Sequence, residues 1–163
     1  MNTIVLYYSK SENTKIVAET LSRELNTDIL RINEVKEKNS FVNKISSSFN
    51  ALMENKTDIK PRNVDLTEYD SVYIGTPTWA GKPTPAIITL IDRLDLRGKD
   101  IFLFTTMSSD NGRSAIERME EKVKVRGGRV IETFIISTKN KTPQEIINDT
   151  EVTINTLDLK VYK

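Results

Sequence analysis

The 163-residue chain contains no cysteine and no histidine. Without cysteine there is no disulfide framework, CxxC redox pair, iron–sulfur ligation or thiol nucleophile. Without histidine there is no Ser–His–Asp triad and no His-based zinc site. Redox work by such a chain needs a bound organic cofactor. An excess of one charge is also missing: 24 basic and 23 acidic residues leave a net charge of +1. That balance argues against a dedicated nucleic-acid binder. No run approaches the ~18 apolar residues that span a bilayer, so no membrane insertion is expected. Met1-Asn2-Thr3 lacks a basic stretch, and the apolar run Ile4 to Tyr8 is too short for an export signal. A cytoplasmic location is therefore expected, and the lack of cysteine fits a reducing compartment. The length predicts one domain, residues 1–163, with a radius of gyration of roughly 15 Å.

Ile4-Val5-Leu6-Tyr7-Tyr8 is β-rich and apolar without alternation, the pattern of a central parallel strand covered on both faces. The turn Ser9-Lys10-Ser11-Glu12-Asn13-Thr14 follows it, then a helix with Ile16, Val17, Leu21 and Leu25 on one face. Asp28 to Ile32 predicts a second strand. Residues 34–63 are the least regular. Within them, Ser40 starts a helical pattern carrying Phe41, Val42, Ile45, Phe49, Leu52 and Met53, and Asn55 to Asn63 reads as loop. Ser71 to Gly75 is the third strand and Asp100 to Thr105 the fourth. Val130 to Ser137 is the fifth. Between these strands lie helices containing Ile87, Ile88, Ile91 and Leu94, and Ile116, Met119 and Val123. Asp110 or Asn111 is the expected cap of the latter helix, and Gly127-Gly128 its end. Thr142-Pro143-Gln144-Glu145 is a capping box with proline at the first helical position.

Strands alternating with helices predict an α/β fold with a parallel, doubly wound sheet. Five such strands match a known three-layer α/β/α sandwich whose five-stranded parallel sheet has the order 2-1-3-4-5. In that order the ligand crevice lies beyond the carboxyl ends of the first and third strands. Three polar turns should meet there. Ser9 to Thr14 places three hydroxyls and an asparagine amide at a helix start, where unpaired N–H groups and a partial positive charge favour phosphate. The alternative is an ordinary turn in which Ser11 caps the helix. Thr76 to Pro83 holds the sole tryptophan, Trp79. It is either a stacking platform for a planar ligand or a cover on the core edge. Gly75 and Gly81 would let the backbone approach a ligand closely or change peptide orientation. Thr106 to Gly112 offers small hydroxyls and backbone amides, and is either the far wall of a flat ligand's site or an ordinary connection.

These three segments, in order after their strands, resemble the flavodoxin family of FMN-binding proteins over essentially the whole chain. Ser9-Lys10-Ser11-Glu12-Asn13-Thr14 resembles the family's phosphate loop, usually (S/T)-x-(S/T)-G-x-T. Ile74 to Pro83 resembles its second flavin loop and Thr105 to Gly112 its third. The direct passage from the fifth strand to the last helix resembles the short-chain type. The resemblance implies FMN as cofactor and assigns no catalytic side chain and no metal. It implies that Ser9, Lys10, Ser11, Asn13 and Thr14 lie around the phosphate. Thr76, Pro77, Thr78, Trp79, Ala80 and Gly81 would form the flavin loop, with Trp79 stacking on the ring. Thr106, Met107, Ser108, Ser109 and Gly112 would lie at the pyrimidine end. Three departures stand out. Glu12 occupies the usual glycine position, so its side chain should point outward. The third loop lacks a stacking tyrosine. The charge is nearly balanced, whereas electron-shuttling members are typically very acidic.

The resemblance implies a redox protein that carries electrons through a non-covalently bound flavin, to redox partner proteins or small electron acceptors. A flavin-dependent NAD(P)H:quinone or flavin reductase is the alternative, although no GxGxxG fingerprint for nicotinamide is present. A flavin-free interaction module of the same fold is the third reading. A phosphorylation receiver is disfavoured, because Tyr8-Ser9 and Gly75-Thr76 stand where its acidic residues would be. So is a P-loop nucleotidase, since no GKS or GKT follows a strand. The helix over residues 40–54 is expected to cover the core, or else to form a homodimer contact or a lid.

Overall fold

The computed structural model describes residues 1–35 and 57–162. The helix expected over 40–54 falls outside the described residues. Elements follow in the order β1 (Thr3–Tyr7), α1 (Asn13–Leu25), β2 (Asp28–Arg31), β3 (Asn33–Glu34), β4 (Ile59–Lys60), β5 (Ser71–Pro77), α2 (Pro85–Arg93), β6 (Asp100–Met107), α3 (Gly112–Val125), β7 (Arg129–Ser137) and α4 (Pro143–Thr156), then a 3-10 turn, Leu159–Tyr162. The main sheet has the order β2-β1-β5-β6-β7 with every pairing parallel. Setting aside the two-residue strands β3 and β4, this is the expected 2-1-3-4-5. Among the described residues no helix is long and apolar enough to cross a membrane.

The two faces explain why the strands lack alternation. Ile4 and Leu6 of β1 pack with Ile87, Leu90 and Ile91 of α2 and Ile116, Met119 and Val123 of α3. Val5 and Tyr7, pointing the other way, pack with Val17, Leu21 and Leu25 of α1 and Ile146 and Ile154 of α4. All five residues of β1 are buried. A strand buried on both faces needs apolar residues at odd and even positions alike. The last helix opens as expected: the Thr142 hydroxyl accepts from the Glu145 backbone N–H, and the Glu145 carboxylate accepts from the Thr142 N–H at 2.7 Å. Gly127, at φ 81°, lies just beyond the end of α3.

Two local expectations are corrected. Residues 59–60, expected as loop, pair antiparallel with 33–34 as a small second sheet. Ile59 is 2% exposed; burying that single side chain holds a pairing too short to show periodicity. Gly75 does not serve close approach to a ligand. It is buried, and a β-carbon built on it would lie 2.0 Å from Cζ of Phe104. Its missing side chain is the space that the Phe104 ring fills.

Candidate functional site

Parallel strands send their carboxyl ends to one edge, so the connections leaving β1, β5 and β6 meet there. Four contacts draw them together. The hydroxyls of Thr14, in the first turn of α1, and Thr106, near the end of β6, are 2.8 Å apart. The Tyr8 backbone N–H donates to the Gly75 carbonyl at 3.1 Å, and the Thr78 N–H to the Thr106 carbonyl at 2.8 Å. A β-carbon on Gly81 would lie 3.2 Å from Cβ of Asn111, so the second and third segments touch. Residues separated by 92 positions in sequence thus share one rim.

The first segment ends at α1, whose N-cap is Glu12 rather than Ser11. Glu12 has φ 65°, a left-handed conformation that favours glycine. Its carboxylate turns away from the helix end: it accepts from Lys15 Nζ at 2.7 Å and lies 3.7 Å from the Arg31 guanidinium. The Lys15 hydrogen bond holds this carboxyl below the usual carboxylate range, so it stays ionised but countered. The Ser9 hydroxyl accepts from the Lys15 N–H at 3.2 Å. Among the described residues, nothing accepts from the backbone N–H groups of Asn13 and Thr14. Ser11 is exposed and Asn13 half-buried at the same helix end. We expect Glu12→Gly to raise Tm by about 2–4 °C by relieving the left-handed residue, and a thermal melt checks this; a lowered Tm would mean that the Glu12 ion pairs outweigh the strain.

The second segment is a tight hairpin. Trp79 and Lys82 exchange backbone hydrogen bonds of 2.9 and 3.0 Å, with Ala80 at φ 48° and Gly81 at φ 75° between them. Two successive positive φ values mark a type I′ turn. Thr76 lies beneath the rim, fully buried, with its hydroxyl accepting from the Thr84 N–H at 3.0 Å. Pro77 is buried beside it. The Thr78 and Thr105 hydroxyls are 2.7 Å apart. Trp79 is half-buried, packed on the core edge. Its ring meets Tyr8 edge to face, centroids 6.0 Å apart, and Lys10 Nζ stands 5.5 Å over it. Burial, helped by the nearby Glu34 carboxylate, pushes the Tyr8 hydroxyl up to about 12, so it remains neutral.

The third segment leaves Met107 half-buried and Ser108, Ser109 and Asp110 exposed. Asn111, at φ 78°, is the N-cap of α3 by position, but its side chain makes no capping bond. Gly112 is buried against Met107 and Ile135. The strand-β7 connection joins the rim where the Thr138 N–H donates to the Met107 carbonyl at 2.8 Å. The described residues contain no cluster of three or more metal-ligating side chains. Sequence reasoning missed Tyr8, Arg31 and Glu34 as members of this edge. Tyr8 reads as the last core residue of its strand, and the other two lie beyond the recognised segments.

The family profile described as flavodoxin matches residues 2–143. The chain belongs to the flavodoxin family. A flavodoxin from Nostoc sp. is 24% identical over 135 residues, covering 78% of this chain and 66% of the relative, so the chain spans about two thirds of the length of the curated flavodoxins it matches. Among solved structures, a Bacteroides uniformis chain superposes with a TM-score of 0.73 at 20% identity, covering 92% of this chain and 97% of that one. A flavoprotein from Lactobacillus acidophilus in complex with FMN gives a TM-score of 0.63 at 24% identity, covering 82% and 92%. Oxidised flavodoxin 2 from Bacillus cereus gives 0.60 at 17%, covering 96% and 99%. At these identities the flavodoxin likeness is one of fold.

Proposed function

We propose that this chain is an FMN-binding redox protein that passes electrons to a partner from the carboxyl-edge rim. One observation carries the reading: the three connecting segments converge, with open backbone donors at one end and an accessible indole at the other. The donor set fits a phosphate monoester. The N–H groups of Asn13 and Thr14 are uncommitted among the described residues, Ser11 is exposed beside them, and the one nearby carboxylate, Glu12, is turned outward. A helix N-terminus stabilises such an anion without a cationic side chain. Trp79, braced edge-on by Tyr8, is the planar surface on which a flavin ring would stack. Ala80, Gly81, Met107, Ser108, Ser109 and Gly112 would surround the rest. When bound, FMN accepts and releases one or two electrons. The protein positions the ring, shields it and sets its electrostatic surroundings, and no side chain need act as acid or base.

Titration of the purified chain with FMN and with riboflavin, followed by visible absorbance, tests this reading. Ser11→Ala is expected to weaken FMN about 10- to 100-fold and leave riboflavin unchanged, because a hydrogen bond to a charged group contributes about 1.5–3 kcal/mol. Ser11 makes no hydrogen bond to a described residue, so the substitution leaves the fold intact. Thr14→Ala is a poorer choice, since it strands the buried Thr106 hydroxyl. A chain that takes up no flavin overturns the proposal, and equal losses for both ligands overturn the phosphate assignment.

A further inference from the structure

We propose that the rim around Trp79 is a docking surface for a protein with an acidic face. The inference rests on the reading of this rim as a flavin site and adds the kind of partner that comes to it. The chain as a whole carries only +1, but its charges are unevenly placed. The connections leaving β1, β5, β6 and β7 at the carboxyl edge, residues 8–15, 78–84, 107–113 and 138–142, hold Lys10, Lys15, Lys82, Arg113, Lys139 and Lys141 against Glu12 and Asp110. Arg31 and Glu34, at and just beyond the end of β2, add one charge of each sign. The remainder of the chain is therefore net acidic.

Pairing sharpens this contrast. Glu12 is already countered by Lys15 and Arg31, and Lys141 is paired with Asp149 of α4. Lys10, Arg113 and Lys139 are exposed and have no carboxylate partner among the described residues; Asp110 is exposed as well, and Glu34 is half-buried beside Tyr8. Their positions are tied to one another. The Thr138 hydroxyl and N–H both donate to the Met107 carbonyl, holding Lys139 beside the segment that leads to Arg113. Gly81 against Asn111 brings that segment to the Trp79 hairpin, over which Lys10 stands. The cations sit on separate connections and do not converge on one cavity, an arrangement that suits an extended acidic surface more than a small anion. Exposed charges of one sign around a site steer encounter with the opposite sign, an effect that salt screens over a Debye length of about 8–10 Å.

The test uses two probes: an acidic b-type cytochrome and a basic c-type cytochrome. The isotope-labelled chain without flavin, titrated with the acidic cytochrome at low salt, should show backbone amide shifts at residues 10–15, 110–113 and 138–141. These should vanish near ~0.3 M salt, and the basic cytochrome should give none. With the FMN-loaded, chemically reduced protein, haem reduction of the acidic cytochrome should slow about tenfold over the same salt range. The double variant Arg113→Glu/Lys139→Glu, both outside the flavin-contacting set, should keep its FMN affinity and weaken acidic-cytochrome binding at least about tenfold. Preference for the basic cytochrome, or an unaffected double variant, overturns the proposal. Identical shifts at Arg113 and Lys139 with inorganic phosphate would replace the protein partner by a small anion and also overturn it. A chain that docks the acidic cytochrome but takes up no FMN sinks the cofactor reading alone, and one that takes up FMN without charge preference sinks the docking alone.

Discussion

Trp79→Ala is expected to lower affinity for FMN by about 30- to 100-fold, and for riboflavin by the same factor. One indole face covering a flavin removes on the order of 80 Å2 of apolar surface from water, about 2 kcal/mol. Stacking geometry adds about 0.5–1.5 kcal/mol. Some of this is retained in the variant because Tyr8, in edge-to-face contact with the ring, would inherit part of the contact. Trp79→Phe should stay within about tenfold of the parent, since it keeps an aromatic face. Trp79 is the only tryptophan, so quenching of its emission on titration reports the stack without interference. Unchanged affinity in the alanine variant, or unquenched emission at saturation, removes Trp79 from the site. The equal loss for riboflavin separates this effect from that of Ser11, which should touch only the phosphorylated ligand.

Gly75→Ala should destabilise the fold by about 3 kcal/mol, lowering Tm by about 6–12 °C, the upper end of what an added methyl costs in a packed core. Gly75 and Phe104 are register partners on adjacent strands. The new β-carbon would lie 2.0, 2.3 and 2.6 Å from three carbons of the Phe104 ring. The ring cannot swing aside. It is fully buried and stacks on Phe134 with centroids 5.5 Å apart and planes 8° from parallel. Phe104→Leu provides the control. Where the ring is absent, the alanine should cost less than half as much, a coupling that a double-mutant cycle measures by thermal melts. Equal costs in both backgrounds would show that the overlap with Phe104 is not the cause.

The layer architecture was legible because its signals are local and dense. Runs such as Ile4 to Tyr8 are apolar at every position, which only a strand covered on both faces tolerates, and Thr142 to Glu145 announces its helix within four residues. The rim was legible for the same reason: each candidate segment directly follows a strand, and parallel strands send their carboxyl ends to one edge. The left-handed conformations of Glu12 and Ala80 were not legible, since neither residue type signals positive φ. Both are imposed from outside, at Ala80 by the paired backbone bonds of Trp79 and Lys82 and at Glu12 by the turn into α1.

The order of residues alone determined the α/β class and which connections leave strands at the carboxyl edge, because hydrophobic periodicity and capping act over a few neighbours; the strand order came with the match to a known arrangement. Tertiary structure decided what each residue does there. Gly75 became space for a ring on the next strand. Glu12 became a countered, outward-facing charge, and a pair of residues at 33–34 found partners at 59–60. It also decided where charge gathers: a net of +1 says nothing about placement, and the basic rim exists only because the fold carries Lys10, Arg113 and Lys139 to the same edge. Contacts between residues far apart in the chain depend on register and helix docking, which no local pattern encodes.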